Sequence, residues 1–124
     1  KDHGMKITRH MVVFDTADLA AESSFWAGLL VGTVDTEDDW HTVRVDGEAR
    51  VAFQLSPDHV RPEWPDGAPQ QVHIDLYVED IRTAREEALA LGATLLQPAR
   101  DHDASGGFEV FADPSGHPFC LCWM

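Results

Sequence analysis

MVVFDTAD at residues 11–18 and HIDLYVED at residues 73–80 are two copies of one pattern, and the rest of the chain is read from them. Each is a run of apolar and β-branched residues that closes on an aspartate, and the two superpose without a gap from Met11 and His73 to Asp18 and Asp80. Such residues suit a pleated strand, where a branched side chain packs on its neighbours. An aspartate in front of a helix accepts a hydrogen bond from a backbone N–H that has no partner inside the helix. Helical stretches follow in both places, Leu19 to Leu30 and then Gly32, Ile81 to Leu91 and then Gly92. Each copy therefore reads as strand, cap, helix and glycine stop.

Further along, each copy continues in the same way. Thr42 to Val45, the turn Asp46-Gly47 and Val51 to Leu55 have the residue types of a hairpin. Their counterparts are Thr94 to Leu96, Phe108 to Ala112, the turn from Asp113 to Gly116, and Phe119 to Trp123. Phe53-Gln54-Leu55 is matched with Phe119-Cys120-Leu121. The expectation is an α+β fold of two tandem βαβββ modules, 5–56 and 72–124. Between them Pro57, Pro62, Pro65 and Pro69 rule out a central strand or helix, so 57–71 reads as a surface linker. Met5 is a candidate natural start, and residues 1–4 are read as an appended remnant before a single domain, 5–124.

A chain of 124 residues fits one domain of the common size, about 100 to 150 residues. With 44% hydrophobic residues, four Trp and six Phe, it has the material for a packed core. Asp and Glu number 22 against nine Lys and Arg, a net charge of −13 spread along the chain. That surface repels phosphate backbones and anionic lipid, so neither nucleic acid nor a membrane is expected as a partner. No apolar run reaches the roughly 20 residues of a membrane span and no secretory signal is seen, so a cytoplasmic location is expected. Cys120 and Cys122 share a strand face, where a bridge would be strained, and are read as reduced thiols. No nucleophile elbow, no HExxH and no GxGxxG is present, which removes the serine hydrolase, zincin and Rossmann readings.

The paired modules, the Asp18 cap followed by Phe25-Trp26, the His-Ile-Asp strand at 73–75 and the closing DPSGHPFCL at 113–121 together resemble the vicinal oxygen chelate superfamily, the group of glyoxalases, bleomycin-resistance proteins and dioxygenases. More narrowly they resemble its glyoxalase-like branch. The resemblance runs from about Met5 to Trp123. It implies two modules curving into a cup, often completed in a homodimer, with the site inside. One reaction is not implied, because the superfamily holds isomerases, dioxygenases, transferases and proteins that only sequester drugs.

Metal-using members take one ligand from the first and last strand of each module, and those positions carry over to Met11, Gln54, His73 and Cys120. Only Gln54 and His73 fit the usual oxygen and nitrogen donors, so no cofactor is expected and a divalent metal stays an alternative held by those two residues. A softer set of Cys120, His73 and Gln54 around zinc is chemically open. Against this, Met11 and Cys120 read equally as apolar wall and His73 as a hydrogen-bonded histidine lining a cavity.

Strand alternation puts Val13, Asp15, Ala52, Asp75, Tyr77 and Cys122 on the same face as Met11 and His73, while Val12, Phe14, Ile74, Leu76 and Val78 turn to the helices. Trp40 and Trp64 stand at loop edges, and His102, Ser105, Gly106 and Gly107 form a candidate lid. The expected function is binding of a small, largely apolar or aromatic molecule in the cup, as in bleomycin-resistance sequestration. Its ligand-binding residues would be Met11, Val13, Asp15, Trp40, Gln54, His73, Asp75, Tyr77 and Cys120. The alternative is a glyoxalase-like lyase or isomerase, or a dioxygenase-type enzyme. It would be metal-dependent through Gln54 and His73, or metal-free with His73 and Asp75 as catalytic acid and base.

Overall fold

The computed structural model describes Lys6 and residues 9–124. The reading of residues 1–4 as a remnant lies outside the described residues. Two four-stranded sheets form, each crossed by one helix. The first holds β1 (Val12–Thr16), β2 (Thr33–Thr36), β3 (Trp40–Val45) and β4 (Glu48–Leu55), with α1 (Leu19–Leu30) between β1 and β2. The second holds β5 (Ile74–Tyr77), β6 (Thr94–Gln97), β7 (Gly107–Ala112) and β8 (Pro118–Trp123), with α2 (Ile81–Leu91) between β5 and β6. Strand orders are β1-β4-β3-β2 and β5-β8-β7-β6. In each sheet the outer first strand runs parallel to the last strand, and the other pairings are antiparallel.

The capping aspartates explain where the helices start. Asp18 accepts from Ala21 N–H, and Asp80 accepts from Arg82 and Thr83 N–H. The helix ends differ from the sequence expectation. Gly92 stops α2 at φ 114°, a left-handed conformation that glycine adopts freely. In the first module Val31 takes that conformation, at φ 56°, and Gly32 is not the cap. Gly32 is needed for packing: a side chain there would collide with the carbonyl of Arg44 on β3. Strand β2 was not visible in the sequence, because TVDT at 33–36 offers Val34 alone as an apolar residue.

Pairing registers also correct the match between the last strands. Val13 lies opposite Ala52, and its repeat counterpart Asp75 lies opposite Cys120. Ala52, not Gln54, is thus the counterpart of Cys120, and Gln54 is the counterpart of Cys122. Three residues (37–39) join β2 to β3, whereas nine (98–106) join β6 to β7.

One core serves both modules. Phe14, Phe25, Trp26, Phe53, Ile81, Phe111, Phe119 and Leu121 are buried in a single cluster. Trp26 of α1 meets Phe119 of β8 edge-on at 5.2 Å, so the first helix packs on the second sheet as well as on its own. Burying each such side chain contributes on the order of 1.5–3 kcal/mol. Ile74, Leu76 and Val78 pack against this cluster as the alternation requires. One residue expected on that side does not: Val12, the first residue of an outer strand, is 37% exposed.

Candidate functional site

The face of the second sheet that turns away from the helices carries a groove. His73 precedes β5, with Asp75 and Tyr77 two and four residues on, so all three side chains share that face. Cys120 and Cys122 on β8 pair with Asp75 and Tyr77 and share it too. One lobe, about 380 Å³, runs over His73, Asp75, Tyr77, Phe108, Cys122 and Trp123. A second, about 210 Å³, continues over His73, Phe108 and Cys120 to Trp64, Gln70 and Val110. Gly107 lets the Trp123 ring lie close against β7, since a side chain there would come within 2.7 Å of it.

At the floor, His73 Nε2 lies 3.1 Å from Asp75 Oδ1. The imidazole, the Asp75 carboxylate and the Cys120 sulfur have donor atoms within 4.8 Å of one another. Burial, followed by the negative charge of Asp75, pushes the Cys120 thiol up to about 12, and the same two causes raise Cys122. Both cysteines are free thiols. Neither is activated as a nucleophile at neutral pH, because the thiolate is the reactive form.

The candidate residues of the first module lie elsewhere. Asp15 pairs with Gln54 on β4, and Trp40 sits across from Gln54 on β3, with its indole N–H donating to Thr42 Oγ1. Trp40 thus opens β3 at the edge of the 37–39 loop. Met11 is half-buried and Val13 is 41% exposed. None of Met11, Val13, Asp15, Trp40 and Gln54 lines either lobe of the groove. The hard four-ligand site of the superfamily does not fit this chain. A thioether and a thiol stand at two of its positions, and the counterpart of Cys120 on β4 is Ala52, which has no donor, in place of Gln54.

Segment 98–106 borders the groove and is tied down at two points. His102 Nε2 is 2.8 Å from Glu109 Oε1, which also accepts from Ala99 N–H, and Trp123 Nε1 donates to Ala104 O. Arg85 Nη1 lies 3.6 Å from the same buried Glu109 oxygen.

A buried clasp that sequence reading missed joins the modules. The 113–117 turn of the second module inserts against β1 and α1 of the first. Asp113 accepts from Trp26 Nε1 at 2.9 Å, Ser115 N at 3.0 Å and His117 N at 2.8 Å. Ser115 Oγ is 2.7 Å from Thr16 Oγ1, and His117 Nε2 is 2.7 Å from Asp15 O, its ring stacked on Phe14. Ser115 N also donates to Glu22 Oε1, and no donor reaches Glu22 Oε2. Burial, then the hydrogen bond and charge of Asp113, push the Glu22 carboxyl up to about 10. Glu22 therefore keeps its proton at neutral pH, with the Asp113 side chain as its hydrogen-bond partner. Gly116 at φ 90° shapes the turn, and Arg61 from the linker donates to Pro114 O. The local signal was DPSGHP; its partners on α1 carry no motif.

Two βαβββ modules with this strand order define a member of the vicinal oxygen chelate superfamily. Within it, the chain belongs to the glyoxalase-like domain family, whose model matches residues 11–122. No curated protein matches the sequence. Among solved structures, the fosfomycin resistance protein FosX from Listeria monocytogenes is 14% identical with a TM-score of 0.73, covering 97% of this chain and 93% of that chain. A glyoxalase-related enzyme from Fulvimarina pelagi is 18% identical, TM-score 0.70, covering 95% and 89%. A glyoxalase/bleomycin resistance protein/dioxygenase family enzyme from Burkholderia phytofirmans PsJN is 15% identical, TM-score 0.68, covering 91% and 95%. At these identities the likeness is one of fold. No helix among the described residues is long and apolar enough to cross a membrane.

Proposed function

We propose that this protein binds a small, largely apolar or aromatic molecule in the groove of its second module and holds it without turnover, as sequestering resistance proteins do. The observation that carries this reading is the lining. Tyr77, Phe108 and Trp123 form aromatic walls around the polar His73–Asp75 pair. That composition suits a ligand read mainly by its apolar surface and oriented by one hydrogen-bonding group.

The same face supports a homodimer. Tyr77 is 67% exposed and Phe108 49% exposed in a single chain, and a second copy laid over them would close the groove. Met11, Val13, Asp15, Trp40 and Gln54 of the first module are the residues such a copy would bring as a lid. The test is a panel of small planar aromatics scored by melting temperature, in the native chain and in Tyr77→Ala. Ligand binding to the folded state raises stability. A rise in the native chain that Tyr77→Ala loses supports the reading, and no rise with any compound, or an equal rise in both proteins, sinks it.

The second reading is a metal-free lyase or isomerase, favoured by the 3.1 Å His73–Asp75 contact, which would orient an imidazole as a base. Turnover that survives chelator and is lost in His73→Ala would replace sequestration with this reading.

A further inference from the structure

We propose that the groove of the second module selects an organic ammonium ion, a protonated or quaternary amine carried on a flat apolar body, with Asp75 as its counter-charge and Tyr77 and Phe108 as its aromatic walls. This inference rests on the groove being a ligand site, as argued above, and adds the sign of the ligand's charge.

The strand registers build the cage. Tyr77 on β5 and Phe108 on β7 both pair with Cys122 of β8, so they stand on either side of it in one row. With neighbouring strands about 4.8 Å apart, their backbones are separated by roughly 10 Å, which leaves a slot one small group wide over Cys122. In the next row, two residues along, Asp75 and Val110 flank Cys120 in the same way. A group seated over Cys122 therefore has aromatic rings on two sides and a carboxylate roughly 7 Å along the strand. Trp123 borders the same lobe, and its indole N–H is already donated to Ala104 O, so its ring meets the groove as a π-surface and not as a donor. The face of an aromatic ring is the negative end of its quadrupole, which attracts a cation within about 6 Å and does nothing comparable for a neutral group of the same shape.

The charges point the same way. Among the described residues, no arginine or lysine lines either lobe, so a carboxylate or phosphate ligand would meet Asp75 with no guanidinium or ammonium to offset it. Burial, then the charge of Asp75, keeps Cys120 and Cys122 as neutral thiols, so the floor beneath the slot adds no charge of its own. His73 contacts one oxygen of Asp75, and a carboxylate has capacity at both. In the first module the row that matches Tyr77, Cys122 and Phe108 is Asp15, Gln54 and Trp40, with an acid in place of one aromatic wall and an amide for a floor. The cage belongs to one copy of the repeat and is not a by-product of the fold.

The charge of −13 draws cations to the surface generally, so affinity for one cation would not decide the matter and the test has to compare matched probes across variants. The experiment is calorimetric titration of the full-length chain with [4-(hydroxymethyl)phenyl]trimethylammonium and with 4-tert-butylbenzyl alcohol, which share a shape and differ by the charge. The expected result is at least tenfold tighter binding of the ammonium probe. Asp75→Asn and Tyr77→Leu, both at exposed positions, should each reduce that ratio at least threefold. Equal affinity for the two probes overturns the ammonium site. So does a preference that survives either substitution, which would trace it to the overall charge. Equal affinities that are lost together in Tyr77→Ala remove the charge preference and keep the groove as a ligand site, whereas no binding of either probe and no response to planar aromatics removes both.

Discussion

The two modules share a strand order, a pair of capping aspartates and a core, yet they present different chemistry on equivalent faces. Around His73, Asp75 and Cys120 the second module gathers Tyr77, Phe108 and Trp123 into a groove. In the first, Met11, Val13 and Ala52 occupy the matching positions, with Ala52 fully buried and Val13 partly exposed. Backbone geometry alone does not make the site. A duplicated fold leaves one copy free to act as wall while the other carries donors, and the six additional residues in 98–106 fall beside the copy that carries them.

The comparison breaks most severely at the clasp, where the modules depend on each other. Asp113→Ala strips the acceptor from three N–H groups and from protonated Glu22, and should cost about 3 kcal/mol or more in a urea titration. If the modules melt as one unit, the transition stays single while it moves, whereas two separated transitions would show that the modules are independent.

A smaller and pH-dependent effect is expected at Glu22. Its carboxyl lies at about 10 in the folded chain against an ordinary 4.5. The folded state therefore holds a proton that the unfolded state releases. That contribution is complete below about 4.5 and is lost as pH rises through 10. Glu22→Gln keeps a neutral donor toward Asp113 and has no proton to lose. Its stability relative to the native chain should grow with pH, reaching about 1–3 kcal/mol at pH 8 and vanishing near pH 4. Parallel stability curves from pH 4 to 9 would show that Glu22 is ionised in the fold.

Smallest in stability but sharpest in function is the triple change His73→Met, Asp75→Val, Cys120→Ala, which gives the second module the residues of the first. Two of the three side chains are exposed, so the unfolding free energy should move by about 1 kcal/mol or less. The rise in melting temperature with planar aromatics should shrink, because the His73–Asp75 pair that orients the ligand is gone. An unchanged rise would show that the pair takes no part in binding.

Features that rest on near neighbours in sequence were legible. Asp18 and Asp80 announce helix starts because the groups they cap lie three residues away or less. Strand parity likewise grouped His73, Asp75 and Tyr77. What failed depended on registers or distant partners. Phe53-Gln54-Leu55 resembles Phe119-Cys120-Leu121, but both strands alternate bulky apolar residues, so a slip of two residues looks just as good. Only the pairing of Asp75 with Cys120 shows which alignment holds. Val31 was missed as a helix stop because a branched residue seldom takes a left-handed conformation. Nothing near Glu22 in the chain announces that it is buried, since the turn that covers it comes more than ninety residues later.

That separation shapes how the chain is made. Thr16, Glu22 and Trp26 leave the ribosome ahead of the residues that satisfy them, Asp113 and Ser115, which are 87 to 99 positions behind. Until those are made, the first module carries an indole and a carboxyl with no buried partner. Closure must wait for the 113–117 turn, a long-range and therefore slow step. A nascent first module is the stage at which this protein is most exposed to aggregation and most in need of a chaperone.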